Sequence, residues 1–142
     1  MAKQTINRQC GHQETIQIAG PYAGRERQAE YEASKSCREC YQSEQQAKRE
    51  QAATAAAAAN ASNGLPALQG SDKQIAWAEQ IRSAIIPQVE ALRTQFASAP
   101  DEQARQKAED ALNAVIAEGS AGWWIEHRES SAKQLLVAKI AK

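Results

Sequence analysis

Ile16 and Ile18 alternate with polar neighbours from Glu14 to Ala19, a period of two that predicts a short strand closed by Gly20 and Pro21. Thr5-Ile6-Asn7 is its expected antiparallel partner, so the chain opens on a small hairpin. From Gly24 to Ser36 the residues are good helix formers, predicting a helix that lies across the hairpin. A second helix is expected to begin at Tyr41. Residues 41–61 are alanine-rich and helical in propensity but carry no apolar stripe, the pattern of a spacer that either stands alone as a helix or frays into a linker. Asn60-Ala61-Ser62-Asn63-Gly64 ends it.

The apolar period then changes. Leu65-Pro66-Ala67-Leu68-Gln69-Gly70 reads as an extended connector whose two leucines tuck against the following unit, and Ser71 with Gln74 forms a capping box. Ile75, Ala78, Ile81 or Arg82, Ile85, Val89, Leu92 and Phe96 recur at helical steps, while Pro87 predicts a kink or a restart after Ile86. Pro100-Asp101-Glu102 opens another helix, stopped by Gly119. A short helical turn carries Trp123 and Trp124, and a last helix runs from about Ser131 to Ile140. The expected fold is mainly α with a small α+β module. It divides into residues 1–42, a spacer at 43–64 and a small helical bundle at 65–142.

Charge narrows the function classes. Basic and acidic residues number 17 each, and the balance is local: 8 basic and 7 acidic side chains in residues 1–50, 9 and 10 in the remainder. A protein that lives on phosphate backbones usually has a basic excess, because neutralised phosphates release counterions. Nucleic acid is therefore a partner that charge does not favour. No apolar run approaches the length of a bilayer crossing, and no signal peptide core follows Met1, so a cytoplasmic location without membrane association is expected.

All three cysteines fall in two clusters. Cys10-Gly11-His12 and Cys37-Arg38-Glu39-Cys40 are separated by 24 residues, and together they offer three thiolates and one imidazole, a full tetrahedral zinc set. An odd cysteine count in a reducing compartment argues against a disulfide framework. A thioredoxin-type redox pair would need a βαβ context that the pattern lacks. Four protein ligands leave no open position for chemistry, so zinc here is structural and the chain is expected to be no enzyme. His127 has no nucleophile placed with it.

Trp77 and one of the adjacent pair Trp123 and Trp124 are expected to fill an alanine-rich core. The other of the pair is left as an anchor for a partner, with Arg25 and Arg27 as a second contact patch. The Cys-Gly-His start with its distal Cys-x-x-Cys, the segment Leu68 to Arg82 (LQGSDKQIAWAEQIR) and the later Trp124-Ile125 resemble a group of small bacterial proteins, many carried by phages and other mobile elements. The resemblance implies zinc at Cys10, His12, Cys37 and Cys40 and a helical C-terminal module, with no established activity. The resulting expectation is a non-enzymatic interaction protein that binds a host or phage protein complex, by analogy an inhibitor of host defence of the anti-CRISPR kind. A nucleic-acid-binding accessory protein is the alternative. The alanine-rich helix and the Ile75–Phe96 face could each also pair with a second copy as a homodimer.

Overall fold

A computed structural model describes residues 1–141, so Lys142, the last residue of the expected 65–142 segment, lies outside it. The protein is mostly helical with one two-stranded antiparallel sheet, as the pattern predicts. Two compact units are present, Met1–Arg49 and the remainder from Glu50 onward.

In the first unit, β1 (Ala2–Asn7) pairs with β2 (Gln13–Ile18) in a register that sets Ala2 against Ile18 and Asn7 against Gln13. Side chains alternate across a strand, so Ile6, Ile16 and Ile18 share one face, and there they meet Ala29 and Ala33 of α1 (Tyr22–Ala33). This core is very small, with only Ile6, Ile18 and Ala29 buried. The helix starts and stops earlier than the expected Gly24–Ser36. Pro21 already supplies a φ of −66° at the N-cap, and the N–H groups of Ser34 and Lys35 turn back onto Glu30 and Glu32 carbonyls. Ser34 to Ser36 are thereby freed to lead into Cys37.

Helix α2 (Arg38–Ser62) also starts before the expected Tyr41. The Cys37 carbonyl accepts the first helical bond from Tyr41 N–H at 2.9 Å, and the Cys37 sulfur accepts Cys40 N–H at 3.4 Å. Cys37 thus stands as the helix N-cap, with sulfur in the place of a serine hydroxyl. The alanine-rich stretch is helical to Ser62, with Ala56 and Asn60 buried.

The second unit contains α3 (Asp72–Ala97), α4 (Glu102–Ile116), α5 (Ala121–Glu126) and α6 (Ala132–Ile140). Its core gathers Leu68, Ala78, Ile86, Val89, Leu92, Leu112, Val115, Trp124, Leu135 and Leu136, with Leu65 packed at its edge. The Ser71–Gln74 capping box is present, and a second one, Ser131–Gln134, opens α6. Of the two outcomes expected at Pro87, the restart after Ile86 does not occur: α3 runs on through the proline. Pro87 is exposed, so the hydrogen bond its ring cannot make is missing on the solvent side of the helix. Pro100 lies outside α4, whose N-cap is Asp101.

The connector is fixed by a parallel bridge: Gln69 N–H donates to Gly119 O at 2.7 Å and Ala121 N–H to Gln69 O at 3.0 Å. Gly70, at φ 156°, brings the backbone so near that a Cβ there would sit 3.0 Å from the Ala121 methyl. Among the described residues, no helix is long and apolar enough to cross a membrane.

Candidate metal centre

The hairpin turn and the α2 N-terminus each bring one half of the cluster. Arg8 N–H donates to His12 O and Gly11 N–H to Arg8 O, both at 2.8 Å, closing a tight turn that Gly11 completes at φ 83°. The two ligating side chains of this turn therefore face the same way. Gln9 N–H reaches Lys35 O at 3.1 Å, joining the turn to the segment that enters α2. One potential ligand atom from each of Cys10, His12, Cys37 and Cys40 lies within 4.8 Å of every other, so the four expected residues form a possible metal site. His12 presents Nδ1, at 3.3 Å from the Cys40 sulfur and 3.6 Å from that of Cys37.

Backbone amides tune the sulfurs unequally. Cys37 N–H donates to Cys10 Sγ at 3.2 Å. That bond, helped by His12 N–H, lowers the Cys10 thiol to about 6. Cys40 goes the other way, pushed up to about 11 by its hydrogen bond with the Cys37 sulfur, by burial and by the neighbouring Cys10 thiol. Without a cation the cluster thus favours one thiolate and resists collecting several. A divalent ion reverses that preference, because it attracts each thiolate that the others repel.

Neither a family model, nor a curated protein, nor a solved structure matches the chain.

Arg8 is the supporting residue that the sequence reading missed. Its guanidinium is 10% exposed; it donates to Glu14 at 2.7 Å, and to the Glu32 carboxylate and carbonyl at 2.8 and 2.6 Å. It thus pins the end of α1 to the hairpin just ahead of Cys10. Hydrogen bonds from Arg8 first, then Lys35, hold the Glu32 carboxyl below its ordinary range. A depressed carboxylate stabilises the fold above its unfolded pKa, and the contribution is lost as pH falls through the folded value. Arg8→Ala is expected to weaken metal binding by at most about 10-fold, the low end for supporting contacts, because its guanidinium braces the hairpin against α1 and touches no candidate ligand. Competition with a chromogenic chelator reads this directly, and an unchanged affinity would remove Arg8 from the site.

The expected contact residues fare differently. Trp124 is the member of the pair that fills the core: its ring is 1% exposed and donates Nε1–H to Glu118 O at 3.1 Å, so it offers no surface to a partner. Trp123 is half-buried, stacked on His127 at 4.4 Å with the Lys139 ammonium 4.4 Å from its ring centre. Trp77 is not part of the core but 49% exposed. It sits one residue, about 100° of helix, from the buried Ala78. Arg25 turns inward to the Gly20 carbonyl at 2.8 Å, while Arg27 is exposed. Beside Trp77 runs a groove of about 560 Å³, floored by Ile81, Ile85 and Leu135 and edged by Arg128.

Proposed function

We propose that Cys10, His12, Cys37 and Cys40 bind a structural zinc ion, and that the chain is a non-enzymatic protein whose two units serve binding. The observation that carries the metal assignment is the sulfur to nitrogen spacing. Zinc about 2.3 Å from sulfur and about 2.0–2.1 Å from nitrogen, at tetrahedral angles, sets S···N separations of about 3.6 Å. The spacings to His12 Nδ1 are 3.3 and 3.6 Å. Three thiolates and an imidazole suit zinc's borderline softness, and with four protein ligands the ion has no free position for substrate. Its role is to hold together a unit with three buried core residues.

The partner is read as a protein complex of a host or phage, in keeping with the resemblance to mobile-element proteins, and inhibition of host defence is the activity this suggests. The contact point is Trp77 with its groove, since an exposed indole beside aliphatic side chains is the composition of an interface anchor. The test is capture from host lysate by zinc-loaded protein, with and without nuclease. A protein complex that survives nuclease and is lost with Trp77→Ala supports the reading; capture abolished by nuclease replaces it with nucleic-acid binding. Trp77→Ala is expected to leave the thermal melt of the second unit within about 0.5 kcal/mol of the parent, as exposed positions do. A large drop in melting temperature would assign the indole to stability instead.

A further inference from the structure

The structure assigns Cys40 as the sulfur at which electrophiles and two-electron oxidants attack the metal centre, so that oxidation dismantles the first unit. This inference rests on the zinc reading above and goes on to its regulation. The three sulfurs are chemically unequal. Cys10 Sγ accepts the Cys37 N–H and Cys37 Sγ accepts the Cys40 N–H, whereas among the described residues no backbone N–H is aimed at Cys40 Sγ, which meets the His12 ring. A hydrogen bond donated to a thiolate withdraws electron density and blunts its nucleophilicity. Cys40 keeps its full donor strength. It is also partly accessible, as are Cys10 and Cys37, and the adjoining His12 is exposed.

The chemistry closes with hydrogen peroxide as the oxidant. The Cys40 thiolate attacks one peroxide oxygen, the O–O bond breaks, and the leaving hydroxide takes a proton to become water, giving a sulfenic acid on Cys40. Cys37 stands at the N-cap with Cys40 three residues on in the first turn, a separation within the reach of a disulfide. Its thiolate attacks the Cys40 sulfur, the S–S bond forms, and the hydroxyl leaves as a second water. Two electrons pass from two thiolates to the peroxide. Only Cys10 and His12 would then remain to hold an ion, too few to retain it. With so few buried side chains, the first unit unfolds, while the second retains its own core. A reducing thiol reverses the disulfide, which makes the step a switch rather than damage.

The experiment uses the full zinc-loaded chain after its metal content has been measured. N-ethylmaleimide at less than one equivalent is added, and labelled peptides are quantified by mass spectrometry. Cys40 is expected to react about tenfold ahead of Cys10 and Cys37, the scale of one charge-assisted hydrogen bond. In parallel, hydrogen peroxide is expected to release one zinc per chain and to link Cys37 to Cys40, visible because trypsin cuts at Arg38 between them. Equal labelling, or Cys10 reacting first, overturns the assignment while leaving the zinc reading intact. A chain that carries no zinc overturns both.

Discussion

Cys37→Ser is expected to unfold residues 1–49 and leave the helical unit folded. Serine is chosen because it preserves one of the two roles Cys37 holds. A hydroxyl caps α2 as well as sulfur does, so the helix start is retained and only the metal ligand is lost. What remains to hold the unit is Ile6, Ile18 and Ala29, the Arg8 ion pairs and a two-stranded sheet. A hairpin of that size is marginal in water, and chains of this length generally need a metal or disulfide. Structural zinc supplies about 10–16 kcal/mol of apparent free energy in comparable small modules, far more than the remaining contacts can replace. The measurement is an amide correlation spectrum: signals of β1, β2 and α1 collapse to random-coil positions while those of α3 to α6 stay in place. A chelator should reproduce that spectrum in the parent protein. Dispersed hairpin signals in both samples would show that the metal does not hold the fold.

Cysteine and histidine spacing is a local signal, and Gly11 between two ligands announces the turn that aims them; hence all four cluster residues were readable without coordinates. The hairpin was readable because Ile16 and Ile18 keep a strict period of two. Arg8 was not, because its partners Glu14 and Glu32 reach it only once β2 and α1 have packed, and nothing in its neighbours distinguishes it from a solvated arginine. Trp77 was misplaced for another reason. In a helical stripe one residue of error rotates a side chain by about 100°, so periodicity that correctly buries Ala78 cannot tell whether bulky Trp77 goes with it. The continuity of α3 through Pro87 was not legible, because the cost of proline in a helix depends on which side the missing bond falls, and sequence gives no side.

Arg82→Leu is expected to destabilise the helical unit by about 3–5 kcal/mol, the cost of leaving one member of a buried ion pair alone. The position was ambiguous in the apolar stripe of α3, and the reason is now physical: a guanidinium occupies a core site. Arg82 is 1% exposed; it donates to Pro66 O at 2.7 Å and to the two Glu79 oxygens at 3.2 and 3.3 Å. Asn60, equally buried, donates from Nδ2 to the Glu79 carboxylate at 2.5 Å and to its carbonyl at 3.0 Å. Leucine at position 82 strands the Glu79 charge with one amide donor and leaves the Pro66 carbonyl unmatched. Against a typical total of about 5–15 kcal/mol, that loss is large. Urea unfolding followed by tryptophan fluorescence reports on this unit alone, since Trp77, Trp123 and Trp124 all belong to it. The double variant Glu79→Leu with Arg82→Leu should recover most of the loss, because no buried charge remains. If the double variant is as unstable as the single one, the arginine acts through Pro66 instead, by holding the connector that places Gln69 against Gly119 and Ala121. Either result separates the two contacts of one buried side chain, the ion pair with Glu79, which Asn60 near the end of α2 also meets, and the bond to Pro66 of the connector.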